Sequence, residues 1–290
     1  MPLANEKEYR IGYVILHYQA LEETRNCIES VLTISTKDDV IIVVDNCSVN
    51  HSGQQLKREY QNNEQIEIII NSSNEGFARG NNIGFIQAKK KYNCNIIILL
   101  NNDILINQSN FRQILLEEYE LHQFDIAGPQ ILYKNGLVNH GSPSKPIHTS
   151  LMRIRIGEIS NLIRYLLTFV NLDIWFGNIF DKNQTEKELY CENYIEDVQL
   201  AGCFLIFTPK YISIFDGLNP NTFMYLEEAI LYTRAQKAKL VIAFDSKLQA
   251  IHLEDIATSE MFSGNSRKKR RFKYRCQMKS FKVLISEFRD

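Results

Sequence analysis

The 290-residue chain has no uninterrupted run of about 18 apolar residues, so a bilayer-spanning helix is not expected. Nor does it open on a signal-peptide core. MPLANEKEYR runs polar into the first apolar segment, which makes the cytoplasm the default expectation. Charge of one sign is missing too: Lys+Arg 33 against Asp+Glu 34 leaves a net charge of -1. That excludes a globally basic nucleic-acid binder, and nucleic acid is not an expected partner. The six cysteines (Cys27, Cys47, Cys94, Cys191, Cys203, Cys276) contain no CxxC pair, which removes zinc knuckles and thioredoxin-type redox motifs. Several adjoin apolar runs, where a reduced thiol behaves as a small hydrophobe. Neither GxGxxG nor GxxxxGK[ST] occurs, which weighs against a dinucleotide dehydrogenase and a P-loop NTPase.

What is present is a regular alternation. The β-branched runs IGYVIL (11–16), VIIVVD (40–45), IEIII (66–70) and NIIILL (95–100) read as buried strands. Helical patterns lie between and after them at 21–32, 52–61, 78–91 and 109–122. Strand and helix in turn predict a parallel sheet with helices on its faces, and ligands bind such sheets at the carboxyl ends of the strands. The residues at those ends are polar: Asp45-Asn46-Cys47-Ser48, then Asn71 to Gly80, then Asn101-Asn102-Asp103. Three polar loops are therefore expected to converge on one crevice.

Asp103 follows a run of aliphatic residues, where a carboxylate is costly to bury unless paired, hydrogen-bonded or bound to metal. Mg²⁺ or Mn²⁺ with a diphosphate suits an all-oxygen site; a cap for the following segment is the plainer role. Asp45 and Asn46 have the acceptors and donors for a pyrimidine base or ribose, or for an Asx-turn into the next helix. In Asn74-Glu75-Gly76-Phe77-Ala78-Arg79-Gly80-Asn81-Asn82-Ile83-Gly84, the glycines permit close backbone approach and Arg79 offers a forked donor for phosphate. The amides of the helix that follows are expected to face an anion.

These motifs together resemble the family 2 glycosyltransferases of the GT-A fold, and among them bacterial rhamnosyltransferase-type enzymes. The resemblance rests on VILHY (14–18), VDNCSVN (44–50), NEGFARGNNIG (74–84), LLNND (99–103), AGCFLIF (201–207), FDGLNPNTFMYLEE (215–228), Arg234 and His252, in the family's order. It implies an α/β, Rossmann-like nucleotide-binding sheet over 1–255, with an acceptor-side or membrane-proximal insertion at 142–198 and a basic extension at 256–290. By the same resemblance, Tyr18, Asp45, Asn46, Ser48, Asn74, Gly76, Phe77, Arg79, Gly80, Asn81 and Asn102 form the nucleotide-sugar site. Asp103, with Asn101 and His252, would hold Mg²⁺ or Mn²⁺, Asn101 standing where the family's DxD motif has its first Asp. Glu228 takes the position of the catalytic base beside Glu227, although Ala229 and Ile230 depart from the family's acidic pattern. The plainer role for the pair is that of two first-turn acids favoured by a helix dipole.

The implied reaction is an inverting transfer from a dTDP- or UDP-sugar to a saccharide or lipid-linked saccharide in bacterial surface polysaccharide synthesis. The alternative is a non-catalytic nucleotide-sugar-binding or scaffold protein of the same fold. Residues 151–180 mix Leu162, Leu166, Leu167, Val170, Ile174 and Phe180 with Arg164, Asn171 and Asp173. Contact with a lipid surface, a homodimer partner and plain core packing are all open to such a segment. RKKRRFKYR (267–275) puts seven cations in nine positions, a run attractive to an anionic membrane surface at the inner face of the cell membrane.

Overall fold

The computed structural model describes residues 9–133, 143–146, 150–181, 194–253 and 266–289. Nine strands form one sheet: β1 (Ile11–His17), β2 (Val40–Asp45), β3 (Ile66–Ile70), β4 (Ile96–Asn101), β5 (Ile104–Leu105), β6 (Ile126–Tyr133), β7 (Tyr194–Glu196), β8 (Phe204–Phe207) and β9 (Ile242–His252). The helices are α1 (Leu21–Ile34), α2 (Ser52–Glu59), α3 (Gly76–Lys90), α4 (Phe111–His122), α5 (Leu151–Leu167), α6 (Asp173–Asp181), α7 (Pro209–Ile214), α8 (Glu227–Lys237) and α9 (Ser266–Arg289).

The strand order is β3-β2-β1-β4-β8-β6-β9-β5, with β7 paired to β9. The first four strands are parallel, as their sequence spacing predicts. Beyond β4 the sheet becomes mixed: β8 runs antiparallel to β4 and β6, while β6 and β9 are parallel. Strand β6 was not legible as a strand because Gly128-Pro129 interrupts it. The register with β9 slips between Pro129 and Gln130, the irregularity at which a residue without an N–H is tolerated.

Side chains alternate across the sheet with period two. Ile11, Tyr13 and Ile15 of β1 join Cys27, Ile28 and Val31 of α1, Leu56 of α2, and Phe111 and Leu115 of α4 on one face. Val14, with Val40, Ile42 and Val44 of β2, meets Ala78, Phe85 and Ala88 of α3, Tyr211 of α7 and Leu231 of α8 on the other. Helices thus cover both faces. A third cluster joins Ile154 of α5, Ala229 and Ile230 of α8, and Phe281, Leu284 and Ile285 of α9. The basic run therefore lies in a helix packed on α5 and α8. Cys191 and the remainder of 182–193 lie outside the described residues.

Candidate active site

Strand order reverses between β1 and β4, because α1 carries the chain from β1 to β2 on one side and α3 returns it to β4 on the other. Such a switch point opens a crevice at the carboxyl ends of the strands. The residues after β1, β2 and β4 all reach it.

Beneath the crevice runs a buried polar chain. Asn102 Nδ2 donates to Thr24 Oγ1 at 3.0 Å. His17 Nδ1 lies 2.6 Å from the same hydroxyl, and its Nε2 lies 2.7 Å from Ser52 Oγ. The Thr24 hydroxyl donates to Ala20 O and the Ser52 hydroxyl to Asn50 Oδ1, so the imidazole bridges two hydroxyls that are each tied to a neighbouring acceptor. Burial pulls the imidazole down to about 4 against the opposing effect of Asp45, so the ring is neutral near pH 7. Asp45 is wholly covered. Its Oδ1 accepts from Ser48 N at 3.1 Å, the local loop motif open to it from sequence, and its Oδ2 has no partner. A Cβ on Gly53 would stand 2.1 Å from that Oδ2, so only glycine lets the first turn of α2 close over the carboxylate. The Ser48 hydroxyl in turn accepts from Gln19 N at 2.8 Å, joining the β1 and β2 loops near Tyr18.

Asn46 organises the next loop. Its Nδ2 donates to Asn74 Oδ1 and Gly76 O, and its Oδ1 accepts from Glu75 N at 2.9 Å. Gly76 has φ +79°, and a Cβ there would meet Phe223 O at 2.3 Å. The anion expectation for α3 needs correction here. Glu75 N goes to Asn46, Gly76 N to Asn74 Oδ1, and Phe77 N to Phe223 O, so these three amides of the helix start are already paired. Arg79 donates from Nε to Pro220 O at 2.7 Å and is largely exposed, tying α3 to the loop before α8. Gly80 lets α3 approach Leu16 and Asn46. Asn81 bonds back to Phe77 O and leaves a buried Oδ1 without a partner.

At the end of β4, Asp103 Oδ2 lies 3.2 Å from His252 Nε2, while its buried Oδ1 has no hydrogen-bond partner. Asn101 is held by its backbone, its N–H donating to Cys203 O. Among the described residues no group of three or more His, Cys, Asp or Glu side chains is arranged to hold a metal ion. Asp103 and His252 fit a divalent cation only as a partial site. The orphaned oxygen is a free ligand position, and the rest of the shell must come from an oxygen-rich ligand such as a diphosphate.

The acid pair faces two ways. Tyr225 (φ 72°) and Leu226 (φ 68°) are both left-handed immediately before α8, a strained pair of the kind that gathers at functional sites. Glu227 turns inward beside Thr222 and near Cys276 of α9; burial and Glu228 push its carboxyl up to about 7, and its Oε1 has no partner. Burial raises the Glu228 carboxyl, and the nearby backbone N–H groups of Gly202 and of Glu228 itself oppose that rise. A Cβ on Gly202 would sit 2.7 Å from Glu228 Oε1. Both Asp103 and Glu228 act on Cys203, whose buried thiol is pushed up to about 12. Glu228 thus stands against Gly202, and the next residue, Cys203, accepts from Asn101 N two residues before Asp103, which brings the two carboxylates to the β4–β8 edge of the crevice.

The structure thus brings Asn101, Asn102, Asp103, His252 and Glu228 together, and links Asp45, Asn46, Ser48, Asn74 and Gly76 into the neighbouring wall. It places Arg79 at Pro220 instead and Glu227 beneath the α8 start. Sequence reasoning passed over His17, Thr24, Ser52, Gly53 and Gly202. A histidine closing an apolar strand was the one available signal; the others act through contacts between distant segments.

A family model described as Glycosyl transferase family 2 matches residues 13–184. A relative from Haloferax volcanii, the low-salt glycan biosynthesis hexosyltransferase Agl10, is 26% identical over 137 residues, 46% of this chain and 40% of the relative. The chain thus spans less than half of that relative's length. Among solved structures, S. aureus TarS 1–349 is similar at TM-score 0.53 and 12% identity, over 96% of this chain and 70% of that one. The same TarS fragment in complex with UDP gives 0.54 at 12% identity over the same shares. At that identity the likeness is one of fold, and the fold is GT-A.

Proposed function

The chain belongs to glycosyl transferase family 2, and from that premise we propose that it is an inverting enzyme transferring a sugar from a nucleoside diphosphate donor to a hydroxyl of a saccharide acceptor. The observation that carries this reading is the approach of Glu228, seated against Gly202, to the end of β4, where Asn101 N donates to Cys203 O two residues before Asp103. The donor lies in the crevice, its nucleotide against the wall built by Asp45, Asn46, Ser48 and the Asn74–Asn81 loop. UDP- and dTDP-sugars are the proposed donors, a choice supported by a UDP-bound solved structure of the same fold.

Asp103 and His252 would hold Mg²⁺ or Mn²⁺ together with the donor diphosphate, and the cation would supply charge neutralisation for the leaving group. Glu228 takes the proton of the acceptor hydroxyl. The acceptor oxygen forms its bond to the anomeric carbon from the face opposite the diphosphate, and the breaking C–O bond leaves its electron pair on the diphosphate. The raised carboxyl of Glu228 makes it a stronger base than a solvated glutamate. Glu227 is buried beside Thr222 and is assigned a positioning role. Bacterial surface polysaccharide synthesis, with a saccharide or lipid-linked saccharide acceptor, is the proposed setting.

A thermal-shift screen against UDP-, dTDP- and GDP-sugars with Mn²⁺ should find one stabilising donor, followed by donor hydrolysis or transfer with and without EDTA. Full activity in EDTA, or in Asp103→Ala, would remove the metal from the account.

A further inference from the structure

Helix α5 carries an apolar stripe that no other described part of the protein covers. Met152, Ile156, Ile159, Ile163, Leu166 and, just past the helix, Val170 recur at alternating steps of four and three, and all are exposed, Met152 at 73%. At 1.5 Å per residue the stripe is about 27 Å long. Phe169, Ile174 and Trp175 continue it around the corner into α6, Trp175 at 62% exposure. The opposite side of α5 is the anchored one: Ile154 is buried among Ile230, Phe281 and Leu284, and Asn161 Nδ2 donates to Tyr274 O at 2.8 Å. The stripe therefore points away from the protein. An apolar surface of this extent marks an interaction site.

Its surroundings are cationic. Between 150 and 177 the acids are Glu158, bound to Arg155 at 2.7 Å, and Asp173, buried and bound to Arg270 at 2.6 Å. Helix α9 holds no acid before Glu287. Arg267, Arg270 and Arg271 do not form a free tail: they bind Thr168, Asp173 and Phe169 at the α5–α6 corner. Lys273, Arg275, Lys279 and Lys282 remain exposed along α9, with Arg153 and Arg155 beside the stripe. A second copy seated on the stripe would bring like-charged borders together across a two-fold axis. An anionic bilayer complements both features. At 17 residues, with Arg153, Arg155, Glu158 and Arg164 within it, α5 suits the interfacial plane and not a span.

We propose that the α5–α6 face is a membrane-docking surface, with the Met152–Val170 stripe in the headgroup–acyl boundary of an anionic bilayer and the exposed cations of α9 on headgroup phosphates. Ser280 of α9 donates to Met224 O and Phe272 packs on Phe223, so α9 also bears on the loop leading to the acid pair. Under the transfer reading this would set Glu228 near a lipid-borne acceptor; the docking itself needs no turnover.

The test is co-sedimentation with phosphatidylcholine vesicles containing about 30 mol% phosphatidylglycerol, and with phosphatidylcholine alone. The wild-type chain should bind the anionic vesicles, more weakly as salt rises, and bind phosphatidylcholine poorly. Ile159→Asp with Leu166→Asp should weaken binding about 100-fold or more, with helicity by circular dichroism unchanged. Neutralising Arg275, Lys279 or Lys282 to Gln should cost about 5-fold each. Failure to bind the anionic vesicles, or wild-type binding by the double aspartate variant, would overturn the proposal. So would a lipid-free dimer in sedimentation equilibrium that the same double substitution dissolves, which would assign the stripe to a second copy.

Discussion

Replacing Glu227 by glutamine tests whether the acid pair is as desolvated as its surroundings indicate. Burial and the adjacent Glu228 raise the Glu227 carboxyl from 4.5 to about 7, and Oε1 has no partner to offset ionisation. The folded-state value lies above the unfolded one, so the neutral acid's contribution is fully present below 4.5 and is lost as pH rises through about 7. That interval corresponds to about 3 kcal/mol of stability removed between about pH 4 and pH 8. Glutamine has nearly the same shape and never ionises, so the variant should match the wild type near pH 4 and exceed it by up to about 3 kcal/mol near pH 8. His17 works in the opposite sense. Its value falls from 6.5 to about 4, so the unfolded chain takes up the proton first and stability is lost as pH drops through that range. The two slopes partly cancel in the wild type, and Glu227→Gln should unmask the limb that rises with pH. Urea denaturation across this range reads the difference. A variant curve parallel to the wild type over the whole interval would refute the desolvation argument.

Gly202→Ala should displace the Glu228 carboxylate, since the new methyl would stand 2.7 Å from Oε1; turnover should fall at least about 10-fold with little change in donor affinity, and unchanged kcat would contradict the placement. Gly76→Ala must hold φ +79° against Phe223 O, so denaturation should show a loss of about 2 kcal/mol, and wild-type stability would contradict the close approach. Asp103→Asn removes the charge opposite His252 while keeping the shape. Mn²⁺-dependent stabilisation by the donor should disappear in calorimetry, and its persistence would reassign the cation.

The strand ends were legible because short β-branched runs with polar stops have few other readings. Asp45, Asn74 and Asp103 lie at or just beyond the ends of β2, β3 and β4, in the loops where that pattern placed them. The later half was harder to read. Pro129 disguised β6, and β8 reverses direction through contacts that no local pattern encodes. Within the site, residue type and position were readable but orientation was not. Arg79 had the right chemistry for phosphate, yet its side chain reaches Pro220 because the loop before α8 crosses there. The adjacent acids Glu227 and Glu228 could not be told apart in sequence; successive positions of α8 point in different directions, which seats Glu227 beside Thr222 and Glu228 against Gly202. In α5, apolar periodicity was visible, but which side faced the protein depended on α9.

The most direct test of the transfer account measures donor binding and transfer in parallel for Glu228→Gln with Mn²⁺ present. If Glu228 is the base at the β4–β8 edge, the donor Kd should stay within about 2-fold of wild type while kcat falls by about 10²–10⁴. Wild-type turnover by the variant, or loss of donor binding in step with turnover, would contradict it.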